Sequence, residues 1–96
     1  MKESKFQHDL ITEIKLRFPG AIVMKTDPRY IQGVPDLIIF WNEHWAALEC
    51  KQKETANRQP NQEYYVDLMA KMSFASFVYP ENKEEVLDEM ERSFYA

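Results

Sequence analysis

The sequence predicts a single α/β domain in which helices flank a mixed sheet of about four strands. Three segments repeat their apolar residues at the three- to four-residue spacing of amphipathic helices. Four short segments are instead rich in β-branched and aromatic residues, as strands are. These segments follow the order helix, three strands, helix, strand, helix, and 96 residues leave room for one domain, residues 1–96.

The first helix is predicted over residues 3–18, and Pro19–Gly20 ends it. Its apolar stripe recurs every four residues and consists of Phe6, Leu10, Ile14 and Phe18. Glu3 and Gln7 continue this stripe at the first turns, although both are polar. The spacing leaves two interpretations open: these side chains are exposed where the helix begins, or they point toward a functional site.

A β-branched segment at residues 21–26 predicts the first strand, and a loop rich in turn-forming residues follows at residues 27–33. Loops beside a strand that carries a site commonly supply binding groups. Lys25 and Arg29 are therefore candidates for holding phosphates, and Tyr30 for stacking on a base or sugar. The alternative is that all three are solvated loop residues.

Two further apolar segments, residues 37–41 and 45–48, predict a β-hairpin closed by the two-residue turn Asn42–Glu43. The first segment is apolar at every position, which predicts a central strand covered on both faces. His44 adjoins the turn and is predicted to be an exposed loop residue rather than a metal ligand.

This hairpin would bring three charged side chains onto one face. A two-residue turn places Asp36 opposite Glu49, with Cβ atoms about 4.5 to 5.5 Å apart. Lys51 shares their face because side chains alternate along a strand. Two facing carboxylates repel, so either one pKa rises or a cation lies between them, and magnesium takes such ligands. The pattern favours a metal site, and the alternative is a surface ion pair of Lys51 with one or both carboxylates.

The polar residues 52–59 predict a loop that orders on substrate, with Lys53 and Arg58 as candidate contacts. Pro60 suits the first turn of a second helix. That helix has an apolar stripe of Tyr65, Leu68, Met69 and Met72, and Gln62 lies on the same face. Residues 74–79 predict the fourth strand, and residues 81–94 a C-terminal helix.

Composition limits the function classes. No apolar run approaches the roughly 18 residues of a membrane span and no signal peptide is evident, which predicts a soluble, cytoplasmic protein. The one cysteine, Cys50, cannot form an internal disulfide and is predicted to be buried rather than catalytic. The net charge is −4, but residues 1–80 hold ten basic and ten acidic side chains. The acidic excess lies in residues 81–91, so a nucleic-acid partner is not excluded.

Residues 35–36 and 49–51 resemble the signature of the PD-(D/E)XK nuclease superfamily. The wider pattern resembles the VRR-NUC family of small phage-type nucleases, akin to Holliday-junction resolvases. Residues 3–7 are similar to that family's opening helix, 33–38 to its metal strand, and 60–63 to the start of its second helix. The likeness covers nearly the whole chain. One departure is Gln59, which stands where these proteins often have a serine helix cap.

The resemblance implies a restriction-endonuclease-like αβββαβ core with a C-terminal helix. It also implies a DNA endonuclease that depends on Mg²⁺ or Mn²⁺ and hydrolyses phosphodiester bonds. The expected substrate is branched DNA, such as Holliday junctions or flaps, and the expected assembly is a homodimer. If the protein is phage-encoded, it would act in the host cytoplasm.

Residue roles follow from the same resemblance. The expected catalytic residues are Asp36, Glu49, Lys51, Gln62 and Glu3. The expected metal ligands are Asp36, Glu49 and the backbone carbonyl of Cys50. Supporting roles are expected for Gln7, Gly33 and Pro35. The expected DNA contacts, Lys25, Arg29, Tyr30, Lys53 and Arg58, rest on their loop positions and not on the resemblance. Two alternatives stay open: a catalytically silent nuclease-fold module that binds DNA or a host protein, and an α/β domain whose charged hairpin is incidental.

Overall fold

Three helices and four strands follow one another in the predicted order. The computed structural model describes residues 2–96. Its helices are α1 (Glu3–Arg17), α2 (Gln62–Met72) and α3 (Lys83–Tyr95). Its strands are β1 (Ile22–Lys25), β2 (Leu37–Trp41), β3 (His44–Cys50) and β4 (Phe74–Val78). The predicted α/β class, with its mixed four-stranded sheet and C-terminal helix, is confirmed.

The strands lie side by side in the order β1-β2-β3-β4. The first three strands are antiparallel, whereas β4 runs parallel to β3 after the α2 crossover. Leu37 pairs with Leu48 and Trp41 with His44, which confirms the predicted hairpin register. Asn42 occupies the turn with φ of 55°, a left-handed conformation that asparagine tolerates better than most residues.

The main core lies between one face of the sheet and the helices α1 and α3. The predicted stripe of α1 is buried there in full. It packs with residues of α3 and of the strands, among them Leu87, Met90, Leu37, Ile39 and Leu48. Cys50 is completely buried in the same cluster, as predicted.

The other face of the sheet is only partly covered, because α2 packs against β3 and β4. Phe40 on β2 is 42% exposed and Ile22 on β1 is 61% exposed. The prediction that β2 is covered on both faces is therefore wrong. A helix about 10 Å wide covers roughly two strands spaced about 4.8 Å apart, so one helix cannot cover four.

Local predictions failed at three further positions. The second helix begins at Gln62 rather than at Pro60, because Asn61 before it is left-handed with φ of 71°. His44 belongs to β3 and is half-buried, with its ring stacked on Phe94 at 5.8 Å, instead of lying in an exposed loop. Met72 is 64% exposed although it belongs to the predicted stripe of α2.

No helix within residues 2–96 combines the length and the apolar character that crossing a membrane requires.

Candidate active site

Three carboxylates converge at the end of the hairpin away from its turn. Each of Glu3, Asp36 and Glu49 offers an oxygen, and these oxygens all lie within 4.8 Å of one another. Glu3 opens α1, Asp36 directly precedes β2, and Glu49 lies near the end of β3. The structure thus brings together the acidic residues that the sequence predicted, and Glu3 points toward the site rather than being merely exposed.

Asp36 is positioned by backbone contacts on both sides. Its Oδ2 accepts a hydrogen bond from the backbone N–H of Cys50 on β3 at 3.0 Å. Its carbonyl accepts from the N–H of Thr26 at 2.9 Å, and the Thr26 hydroxyl donates to the Pro35 carbonyl at 2.7 Å. Thr26 thereby fixes the backbone immediately before β2. No motif in the sequence distinguishes Thr26 from other strand-end threonines, so its role could not be predicted.

Glu49 is the most deeply buried of the three acids, at 2% exposed. Its Oε2 accepts a hydrogen bond from Gln62 Nε2 at 3.1 Å. Its Oε1 is buried and has no hydrogen-bond partner within residues 2–96. Burial, reinforced by the nearby charge of Asp36, raises the pKa of Glu49 to about 8. Burial and Asp36 also raise the pKa of Glu3.

This geometry fits a hard divalent cation. Such ions prefer oxygen ligands, and a carboxylate cluster with an unpartnered buried oxygen offers them. Buried polar atoms are almost always hydrogen-bonded, so the free Oε1 of Glu49 calls for a ligand. Lys51 and Glu49 do form an ion pair, with Nζ and Oε2 3.9 Å apart, but both side chains are buried, so it is not the exposed pair considered from the sequence.

A network of hydrogen bonds holds Lys51 beside the carboxylates. Its ammonium donates to Gln62 Oε1 at 2.7 Å and to the Asn57 carbonyl at 3.1 Å. Gln62 Oε1 also accepts from the backbone N–H of Gln59 at 2.8 Å. Gln62 therefore joins Lys51 to Glu49 through the two ends of one amide.

Gly33 fits closely against the start of α2. It has a positive φ of 89°, and a Cβ added there would lie 2.6 Å from the Asn61 Cβ and 2.8 Å from the Pro60 carbonyl oxygen. Only glycine allows this approach, which brings the loop before Asp36 against the start of α2. The sequence indicated Gly33 but not its contact with Asn61.

Gln7 and Pro35 lie around this centre. Gln7 is half-buried, and its side chain acts to lower the pKa of the Cys50 thiol. Burial raises the pKa of that thiol, which keeps it protonated and unsuited to nucleophilic chemistry. Pro35 is fully buried next to Asp36.

The residues expected to contact DNA lie outside the carboxylate cluster. Lys25 ends β1 and pairs with Leu37, one residue beyond Asp36. Arg29 is engaged by Asp27 through two side-chain hydrogen bonds of 3.0 and 3.1 Å, and Tyr30 is 86% exposed. Lys53 and Arg58 are exposed in the loop between β3 and α2.

Comparison of the whole fold with solved structures gives a clear match. A structure described as a VRR_NUC domain superposes with a TM-score of 0.62 at 21% sequence identity, covering 84% of this chain and 92% of that one. The chain has the VRR-NUC fold. Within this fold the three carboxylates lie close together, and Lys51 and Gln62 are hydrogen-bonded to each other beside them. Searches with protein-family profiles and against curated proteins gave no match.

Proposed function

We propose that the protein is a metal-dependent endonuclease that hydrolyses phosphodiester bonds of DNA. One observation carries the proposal: three carboxylates, one with a free buried oxygen, meet a fixed lysine on a VRR-NUC fold. A structural ion-pair network would not leave that oxygen without a partner.

Asp36 and Glu49 would hold a Mg²⁺ or Mn²⁺ ion, together with the Cys50 carbonyl, and Glu3 would complete the carboxylate set. The ion supplies Lewis-acid polarisation of the scissile phosphate when bound. Glu49 would be ionised with the ion bound, because an opposite charge lowers the pKa that burial raises.

Lys51 would orient the attacking water and stabilise the negative charge that develops on the phosphate. A positioned cation in a partly desolvated site is effective because it needs no reorganisation during the reaction. Gln62 and the Asn57 carbonyl hold the Lys51 ammonium in place. Gln62 would also fix the Glu49 carboxylate, so that the distance between this metal ligand and the Lys51 ammonium stays constant.

The finer features of the proposal rest on the sequence resemblance. They are selectivity for branched DNA such as Holliday junctions or flaps, and a homodimeric assembly. Action in the cytoplasm, or in the host cytoplasm if the protein is phage-encoded, is proposed from the composition. A dimer would suit a four-way junction, because a junction offers two equivalent strands to a twofold assembly. Lys25, Arg29, Tyr30, Lys53 and Arg58 are proposed to contact the DNA.

The test is a cleavage assay on supercoiled, linear, flap and four-way-junction DNA, with magnesium and with excess chelator. We expect magnesium-dependent cutting that Asp36→Ala reduces at least about a thousandfold, the effect of losing several kcal/mol of transition-state stabilisation. Glu43→Ala is the matched control, since Glu43 is an exposed acid in the turn of the same hairpin. Undiminished cutting by Asp36→Ala would overturn the mechanism, and metal-independent DNA binding without cutting would favour the silent module.

A further inference from the structure

The Arg58 guanidinium lies over the ring of Phe77, whose register partner is Glu49 of the carboxylate cluster. The guanidinium carbon is 3.8 Å from the centre of the Phe77 ring, well within the range of a cation–π contact. Arg58 Nη1 donates to Glu63 Oε1 at 3.1 Å. The ring and Glu63 together fix the position of the guanidinium.

The position of this pair is determined by the sheet. Phe77 on β4 is the register partner of Glu49 on β3, so the two side chains stand on the same face of the sheet, one strand apart. The two residues that flank Arg58 in its loop are both hydrogen-bonded to the site. Asn57 accepts a hydrogen bond from Lys51, and Gln59 donates one to Gln62.

The guanidinium keeps most of its hydrogen-bonding capacity. Arginine has five N–H donors in one plane, and the contact with Glu63 uses one of them. The remaining donors form no other hydrogen bond within residues 2–96, so they are available to another ligand. The side chains of Arg58 and Glu63 are 43% and 66% exposed, and a pair this exposed contributes about 0 to 1 kcal/mol. A phosphate can therefore replace Glu63 readily.

We propose that Arg58, oriented by Phe77, binds a backbone phosphate of DNA next to the phosphate held at the carboxylate cluster. Phe77 acts as a positioning residue, and Glu63 releases Arg58 when the phosphate binds. This assignment rests on the proposed function, because it takes the carboxylate cluster as the place where the DNA backbone lies.

The first measurement is the affinity for a short fluorescein-labelled DNA duplex, by anisotropy, in excess chelator so that no cleavage occurs. Arg58→Ala should weaken binding about tenfold, as the loss of one charged phosphate contact does. It should also reduce the slope of log affinity against log salt by about 0.9, since one fewer counterion is released. Wild-type affinity with an unchanged slope would overturn the proposal, and so would a wild-type protein that binds neither this duplex nor a four-way junction with the same label.

The second measurement tests the role of the ring. Phe77→Leu keeps apolar volume and the Arg58 charge, and it should weaken DNA binding about two- to fivefold by removing the cation–π contact. Arg58→Lys should weaken binding in the wild type but add little in the Phe77→Leu background, because lysine lacks the planar group that the ring orients. Strictly additive effects of the two substitutions would contradict a positioning role for Phe77.

Thermal melts separate this role from a structural one. If Arg58 only anchors the loop, Arg58→Ala lowers the melting temperature while the folded protein keeps wild-type DNA affinity, which would refute the proposal.

Glu63→Gln tests the contact between Arg58 and Glu63. The DNA affinity of this variant should equal or exceed that of the wild type. Weaker binding by Glu63→Gln would show that Glu63 must hold Arg58, contrary to its release. None of these results needs catalysis, so a wild type that binds but does not cut would remove the nuclease proposal and leave this one measurable.

Discussion

Gln62 donates to Glu49 through its amide nitrogen at 3.1 Å while the oxygen of the same amide accepts from Lys51 at 2.7 Å. One side chain thus connects a proposed metal ligand to the proposed catalytic cation. Its position at the first residue of α2 means that the start of this helix controls the geometry of the site.

Replacing Gln62 should therefore disturb both neighbours. We expect Gln62→Leu to lower the single-turnover cleavage rate about ten- to a hundredfold, because it removes two hydrogen bonds to charged groups. Gln59→Ala is the control, since Gln59 contacts the site through its backbone N–H and its own side chain is exposed. A rate for Gln62→Leu equal to that of the control would refute the bridging role.

Lys51 should act on the chemical step rather than on DNA binding. We expect Lys51→Ala to reduce the cleavage rate at saturating DNA at least about a hundredfold, because a preorganised charge at the phosphate is lost. Lys53→Ala, two residues along and exposed, should change DNA affinity but leave the saturated rate unchanged. Single-turnover assays with a titration of DNA separate the two parameters, and a purely affinity-based defect in Lys51→Ala would contradict the assignment.

The raised pKa of Glu49 predicts how stability depends on pH in the absence of metal. The folded protein keeps this carboxyl protonated up to a pKa of about 8, whereas the unfolded chain ionises it near the ordinary value of 4.5. Between these values the native state binds more protons, so stability should fall as pH rises, by up to about 1.4 kcal/mol per unit, and then level off.

Urea unfolding across that range in chelator measures this effect. Glu49→Gln cannot ionise at position 49, so its stability should change less with pH than that of the wild type. With magnesium present, stability should instead rise with pH. The ion binds the ionised carboxylate, so the affinity of the protein for magnesium should increase up to a pH of about 8. A wild-type profile parallel to that of Glu49→Gln would show that Glu49 does not titrate as described.

Gly33 and Gly20 form a natural matched pair for testing the contact with Asn61. Both have φ of 89°, but an added Cβ meets nothing within 4 Å at Gly20 and lies 2.6 Å from the Asn61 Cβ at Gly33. Gly20→Ala should cost about 1 to 2 kcal/mol of unfolding free energy from the backbone alone. Gly33→Ala should cost more, and it should also lower cleavage because α2 must shift.

Denaturant unfolding and the cleavage assay measure both effects, and Asn61→Gly offers a partial rescue. That substitution removes the nearest clashing atom and suits the left-handed conformation at position 61. Equal losses of stability in the two alanine variants would mean that the contact between Gly33 and Asn61 places no constraint on α2.

The hairpin and its acids could be predicted from the sequence because their rules are local. A two-residue turn determines which residues pair, and alternation determines which side chains share a face. These two rules were enough to place Asp36 beside Glu49. The buried stripe of α1 followed in the same way from helical periodicity.

Other features depended on how distant segments pack. The start of α2 at Gln62 depends on the close fit of Gly33 against the left-handed Asn61, which no helix-start rule describes. The open face of β2 results from the width of a single helix. The contact of Arg58 with Phe77 joins a loop to a strand nineteen positions later.

The sequence by itself determined the order of the elements, the hairpin register and the grouping of its acids with Lys51, because each arises within one short stretch of chain. Only the tertiary structure decided that Glu49 is buried with a free oxygen, that Gln62 bridges it to Lys51, and that Arg58 lies on an aromatic ring beside them. Those properties come from side chains that meet across layers, and no local pattern in the chain encodes which of them will touch.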